Sequence, residues 1–436
     1  MEPTSQNTVP TSPAVLPSPA SRDEVLGNTD ILSDIVFGVD SPTTIVRAAA
    51  VSKFWRNVAS NPASLRRFGD RHHHPLLLGY YLTLHDYPVT SFEKMPGLSE
   101  ELAADVIRGS FDFGPGRRQY VQTIFDCRNG FVVTGGCALN PDDGYAIHHV
   151  LRPNGGPPVA FPRPPQPFNY SYKDDQDYET SIFMLDQAVL LPEVGGNDGR
   201  SCTAFSLVCT QEQSIWVHVS EFRAPRGGWG EGRRSNKIAL PGNFVGLGLW
   251  RNFCLLTQGT AYMVGMRRQI LALDLASMSL RHIELPQGVE FRPREVNLRL
   301  SRSDQARPGC NVVHVRGLQL RVWFYSTDAD RWKLVDTVSL RQAFGRLANP
   351  VWLSGGAVCN LLAVGDTASF VFLQVLHELF YLHVPTRQVK KVSELSESIR
   401  DLYLSHGLVV KLDPVMMVWP PNFQQLGTGG DDEAQY

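Results

Sequence analysis

Hydrophobic and polar positions follow two different periods along this chain, and the change of period divides it. Between residues 25 and about 70 the apolar positions recur at helical spacing. Ile31, Leu32, Ile35, Val36 and Val39 share one face of a helix. Asn28 or Thr29 can cap its start, and Asp30 and Asp34 suit the positive end of its dipole. Ser41-Pro42 predicts the start of a second helix, because proline at the first helical position gives up an N–H that would have no partner there. That helix is expected to run to Ala59, with Val46, Ala50, Phe54 and Val58 on one stripe and Val51, Trp55 and Ala59 beside it. Asn61-Pro62 repeats the device and predicts a third, shorter helix ending near Phe68. A unit this small buries little surface and carries more apolar residues than its interior can hide. Its leftover face is expected to dock on a partner, or on the rest of the same chain.

After about residue 75 the period changes to two. One helical candidate remains, Leu98 to Arg108, with Ser99 as cap and Leu102, Val106 and Ile107 as its stripe. From Tyr120 onward, β-branched and aromatic runs alternate with Gly, Asn, Asp and Pro clusters. Aligning Ile215, Ile270, Leu320 and Leu379 as equivalent positions gives steps of 55, 50 and 59 residues, with Tyr145 to Arg152 a candidate earlier unit. A period near 50 with several strands per unit is the mark of a propeller blade. The length accommodates five or six blades. A blade cannot bury both faces alone, so the ring must close, and Gly407 to Asp413 is the expected closing segment. A pair of β-sandwiches is the alternative for the same pattern.

Composition narrows the picture further. The chain has 436 residues, with 43% hydrophobic and 19% charged, which excludes a mostly disordered protein. Its 41 basic and 43 acidic residues leave a net charge of −2, so no global attraction to nucleic acid or to an anionic membrane is expected. The most apolar stretch, Phe370 to Val384, is too short and too interrupted to span a bilayer. Residues 1–22 alternate Pro with Ser and Thr and show no secretion signal, so a disordered tail is expected there, and likewise over 427–436. None of the seven cysteines shows metal or redox-pair spacing, which predicts reduced thiols in a cytoplasmic and/or nuclear protein. The sequon at Asn169 is then a chance occurrence.

Two segments carry a resemblance: Asp30-Ile-Leu-Ser-Asp-Ile-Val36 and Ile45-Val-Arg-Ala-Ala-Ala-Val-Ser-Lys-Phe-Trp-Arg-Asn-Val-Ala-Ser-Asn-Pro62. They resemble an F-box, whose second half reads Val-x-Lys-x-Trp-Arg-x-Leu/Val-Ala. Val51, Lys53, Trp55, Arg56, Val58 and Ala59 match it position by position, while Gly27 and Asn28 stand where the family usually has Leu-Pro. The junction Arg66 to Tyr81 is similar to that of grass F-box proteins, many of which carry a divergent β-propeller after the F-box. The resemblance therefore implies an α+β multidomain fold: residues 25–70 as a three-helix F-box and 75–420 as an all-β propeller. It implies a substrate-recognition subunit of an SCF-type cullin–RING ubiquitin ligase. A Skp-type adaptor would bind the F-box, bridging it to the cullin and RING subunits, and the propeller would bind a target. By the same resemblance, Ile31, Leu32, Ile35, Val36, Val46, Val51, Phe54 and Trp55 supply the adaptor interface and the module's small core.

Sites of chemistry are sparse. No Walker loop or nucleophile elbow is present, and Gly228-Trp-Gly-Glu-Gly232 reads as a hairpin loop rather than a dinucleotide fingerprint. His377 and His383 are spaced six apart on a strand-like stretch, where a helical zinc site needs four. His72, His73 and His74 are read as a solvated loop, and Asp142-Asp143 and Asp174-Asp175 as solvated turns. No catalytic residue, metal or cofactor is expected. Arg117-Arg118, Arg163, Arg223, Arg226, Arg233-Arg234, Arg267-Arg268, Trp229 and Trp250 are candidate anchors for a partner, with ordinary solvated turns as the plain alternative. The competing functions are an F-box protein acting outside the ligase as a structural or inhibitory partner, and an enzyme with a site in the propeller channel.

Overall fold

A computed structural model describes residues 27–38, 42–63, 65, 77–84, 87–109, 111–113, 122–128, 130–136, 144–151, 158–165, 183–192, 201–210, 213–240, 254–264, 266–292, 295–303, 308–348, 358–395 and 410–416. The chain divides into two compact units, Met1–His74 with Trp419–Tyr436, and Pro75–Val418. Both expected tails, the His72–His74 run and the sequon lie outside the described residues.

The smaller unit holds three short helices, α1 (Thr29–Phe37), α2 (Pro42–Ala49) and α3 (Lys53–Ala59). Asn28 caps α1, its side chain accepting from the Asp30 and Ile31 amides at 2.9 and 3.2 Å. The single helix expected from Pro42 to Ala59 is broken in two. Ser52 adopts an extended conformation and accepts from the Trp55 amide at 3.2 Å, so it opens a new helix. The break also changes the buried face: of Val46, Ala50, Phe54 and Val58 only Val58 is enclosed, and the second helix turns Ile45 and Ala49 inward instead. Leu32, Val36, Phe37, Ile45, Ala49, Val58 and Ala59 form one buried cluster. Of the expected third helix, Asn61 begins a turn, accepting from Ala63 N through its side chain and from Leu65 N through its carbonyl; residues 66–70 lie outside the described set.

The larger unit is a six-bladed β-propeller. It begins with β1 (Leu77–Leu84) and β2 (Tyr87–Lys94), followed by α4 (Glu100–Arg108). Blade II is β3 (Gln122–Arg128), β4 (Phe131–Gly136), β5 (Tyr145–His149) and β6 (Val159–Phe161). Blade III is β7 (Phe183–Leu190), β8 (Ser201–Cys209) and β9 (Ser214–Arg223), with β10 (Gly228–Trp229), β11 (Arg233–Arg234) and β12 (Ile238–Ala239) all pairing along β9. Blade IV is β13 (Cys254–Thr257), β14 (Thr260–Val264), β15 (Gln269–Asp274) and β16 (Ser279–Glu284). Blade V is β17 (Leu298–Arg302), β18 (Gly309–Arg316), β19 (Gln319–Ser326) and β20 (Arg331–Ser339), followed by α5 (Leu340–Phe344). Blade VI is β21 (Cys359–Val364), β22 (Phe370–Val375), β23 (Glu378–His383) and β24 (Gln388–Glu394). Finally β25 (Val410–Met416) pairs antiparallel with β1, from Leu77↔Met416 to Leu84↔Val410, and completes blade I as its innermost strand.

The ring follows from how each blade is buried. In β22, Phe370 and Phe372 point into the cluster shared with blade I, while Val371, Leu373 and Val375 point into the cluster shared with blade V. Six such clusters occur, one between each pair of neighbours around the ring. Each fully buried Leu, Val or Phe contributes about 1.5–3 kcal/mol. This explains the low charge of the sequence: both faces of every blade are interior. The outer strands add polar ties to the next blade. Asn236 donates to the Leu280 carbonyl at 3.1 Å and accepts from its amide, and the Trp332 indole donates to the Glu284 carbonyl at 2.6 Å. Asp336 takes both nitrogens of Arg387 at 2.6 and 2.7 Å. On α4, Leu102 and Val106 pack inward under the Ser99 cap, whereas Ile107, expected on the same stripe, is 83% exposed.

The closing strand makes truncation a direct test. Removal of residues 410–436 is expected to abolish the cooperative unfolding transition of the larger unit and to open it to proteolysis. A truncated chain that still melts cooperatively would show that the ring holds without β25. A second expectation concerns His314, buried on β18 with the Asn297 amide 3.2 Å from its Nε2. Burial, and then Arg321, Arg316 and Arg292, lower its pKa from 6.5 to about 4, and burial alone lowers His148 likewise. Below pH 6.5 the unfolded chain takes up protons that the folded one refuses, so this stability is present above pH 6.5 and is lost as pH falls towards 4. One such group gives a slope of about 1.4 kcal/mol per pH unit at most. The carboxyl of Asp413, raised by burial, has the opposite sign. Denaturant titrations at pH 7 and 5 should show a smaller loss in His314→Gln than in the wild type; equal losses would refute the assignment.

Candidate functional site

The helical unit sorts the eight residues expected at the adaptor interface into three groups. Leu32 and Val36 are enclosed in the unit's own core and cannot also face a partner. Trp55 packs half-buried against that core, and Val46 is half-buried as well. The remaining four point outward: Ile31 is 40% exposed, Ile35 49%, Val51 64% and Phe54 38%. Ile31 and Ile35 lie one turn apart on α1, and Val51 and Phe54 flank the Ser52 cap of α3. All four are large apolar side chains left open to solvent in one small unit.

A second site lies on blade III, where the outer strand is interrupted. Trp229 pairs with Phe222 and Arg233 with Val219, so the three residues Gly230–Gly232 stand opposite only Ser220 and Glu221. The stretch expected to be a hairpin loop is therefore a bulge within a broken edge strand. Gly232 permits it: a Cβ there would come within 2.1 Å of His218 Cε1. The bulge leaves a groove of about 400 Å³ lined by Val219, Glu221, Arg223, Arg226, Trp229 and Arg233. Glu221 accepts from Arg223 at 2.8 Å and lies 3.5 Å from Arg233, whose other nitrogen donates to the Leu275 carbonyl. The Trp229 ring is held against Phe161 and Phe222, and its indole N–H donates to the Pro162 carbonyl at 2.9 Å. Arg234 faces away and lies over the Trp216 ring at 4.0 Å. Arg267 pairs with Glu290, while Arg117, Arg118 and Trp250 fall outside the described residues.

A third set of polar groups converges on the propeller axis from the first strands. Arg128 pairs with Asp126, which also accepts from the Leu191 amide. Lys411 pairs with Asp413 at 3.2 Å and donates to the Ile124 carbonyl. Arg299, fully enclosed, donates to the Leu361 carbonyl at 3.1 Å, and burial lowers its pKa to about 10. Burial also raises Asp413 and pushes the Cys127 thiol well above its ordinary value. The thiols of Cys209, Cys254 and Cys359 rise to about 12 for the same reason. A buried thiol held protonated is a poor nucleophile. The six described cysteines are free, and no group of three potential metal ligands occurs among the described residues. Among them, too, no helix is long and apolar enough to cross a membrane.

No curated protein matches the chain. Solved structures that resemble it include a protein from Lactobacillus plantarum, at 10% identity and a TM-score of 0.32, covering 63% of this chain and 70% of that one. Hsv2 of Kluyveromyces lactis matches at 6% identity and 0.27, over 62% of each chain. The dihydro-heme d1 dehydrogenase NirN matches at 10% and 0.28, over 63% of this chain and 48% of that one. Likeness at these scores carries no argument. The family match does: the F-box protein AT5G49610-like β-propeller family spans residues 123–423, and the chain belongs to that family.

Proposed function

We infer that the protein is the substrate-recognition subunit of an SCF-type cullin–RING ubiquitin ligase, acting in the cytoplasm or nucleus of a plant of the grass type. The observation that carries this reading is the exposed quartet Ile31, Ile35, Val51 and Phe54, displayed by a unit with the F-box motif in a chain of an F-box propeller family. The quartet supplies the apolar face for a Skp-type adaptor, through which cullin and RING subunits are recruited. The propeller holds the target near a ubiquitin-loaded conjugating enzyme. The chemistry is proximity: tethering raises the effective concentration of target lysines, and this chain makes no bond itself.

The converging axial charges are the feature that favours an enzyme instead. They weigh little, because Asp126, Arg128, Lys411, Asp413 and Arg299 each engage one another or a main-chain carbonyl of the ring.

Adaptor binding by purified protein tests the reading. Ile35→Asp and Phe54→Asp should each weaken capture of a Skp-type adaptor by at least about tenfold while leaving the melting temperature unchanged. Leu32→Ala should act differently, through a loss of about 2–5 kcal/mol in the unit's stability. Capture undiminished by both surface changes, or no capture by the wild type, would rule the ligase reading out.

A further inference from the structure

We propose that the blade III groove is the target-docking site, and that it takes an extended, carboxylate-bearing segment of a target protein. This rests on the reading of the propeller as a target-recognition domain. Among the described residues, blade III alone of the blades with four or more strands has its outer strand broken into two-residue pieces. The break leaves Glu221 and Arg223 of β9 open beneath a glycine lip, with buried Val219 as the floor.

Charge selects the occupant. The chain as a whole is balanced at 41 basic to 43 acidic residues. Between residues 221 and 237 the basic residues are Arg223, Arg226, Arg233, Arg234 and Lys237, against Glu221 and Glu231 alone. Glu221 sits between Arg223 and Arg233, so a carboxylate already fits the spacing of these guanidinium groups. Arg226 is exposed and has no ion pair among the described residues. With Glu221 and Glu231 offsetting two of the three lining arginines, the spare charge is about one unit. That suits a single carboxylate rather than a phosphate dianion, which takes several charge-assisted donors. The Trp229 ring turns to the other face of the blade, against Phe161, Phe222 and the Pro162 carbonyl, and anchors the glycine lip from behind.

The test uses the purified full chain with no ligase component, so its outcome is independent of adaptor binding. The probe is a short fluorescein-labelled peptide alternating Glu and Val, read by anisotropy. Wild-type protein should bind it, with affinity falling as salt rises. Arg226→Glu, at an exposed position, should weaken binding at least about tenfold. Arg267→Glu, on blade IV, should leave it within about twofold, and a probe with Gln for Glu should bind at least about tenfold more weakly. Equal losses in Arg226→Glu and Arg267→Glu would overturn the proposal, as would no binding by the wild type. Preference for a phosphoserine peptide or single-stranded DNA over the Glu probe would overturn it as well.

Discussion

The antiparallel ladder between Leu77–Leu84 and Val410–Met416 joins segments from opposite ends of the larger unit, and the other interfaces of the ring presuppose it. Leu77, Tyr80, Val410 and Leu412 enter the core shared with blade VI, while Leu78, Tyr81 and Val415 enter the one shared with blade II. Without β25 both cores lose one wall, and two blades present apolar faces to water. Pairing so distant in sequence forms late, because the closure entropy must be met before the contacts reward it. The propeller is thus a structure whose last strand decides whether the first ones are stable.

Repetition creates a register problem, which the axial charges address. Lys411 and Asp413 lie on one face of β25, with Val410 and Leu412 on the other. A slip of one residue would exchange the faces, putting two charges into the core shared with blade VI and two apolar residues beside Asp126. An uncompensated buried charge is strongly destabilising, so the correct register is separated from its neighbours by more than hydrophobic area alone provides. Arg299 extends the same logic to blades V and VI through the Leu361 carbonyl. The enclosed position of these groups follows from that role, and the raised carboxyl of Asp413 and lowered guanidinium of Arg299 are its electrostatic consequence.

Much of the architecture is legible in the sequence because the third strand of each blade keeps its pattern. Ile215, Ile270, Leu320 and Leu379 are each the second residue of such a strand, β9, β15, β19 and β23, and Tyr145 opens β5. The turn that follows is equally regular: Met278, Asp330 and Arg387, the last residues before the fourth strands of blades IV, V and VI, all have positive φ. Blade number stays open between five and six in the sequence because blade I draws its strands from both ends and offers no contiguous repeat. The break between α2 and α3 is obscured because the apolar stripe continues across it, and only Ser52 marks it. In the helical unit, the resemblance names eight apolar residues, and spacing cannot divide core from surface among them, since neighbouring stripes differ by a fraction of a turn. The groove is still less visible. Its signal is the pair of glycines around Glu231, and the meaning of Gly232 depends on the His218 ring that lies against it.

The two candidate surfaces differ in physical character. The exposed residues of the helical unit are apolar, so any contact they make rests on area and shape and depends little on ionic strength. The groove is charged and sits where a regular blade would present a closed outer strand. In blade III the repeat fails at this outer strand. In blade III the failure is inexpensive, because β9 keeps its hydrogen bonds to β8 along its whole length and loses only part of its outer pairing. The core beneath remains intact, with Ile215, Val217 and Val219 packed against blade IV. Arg223, Arg226 and Arg233 at this edge can therefore be exchanged without disturbing the closure on which the ring depends.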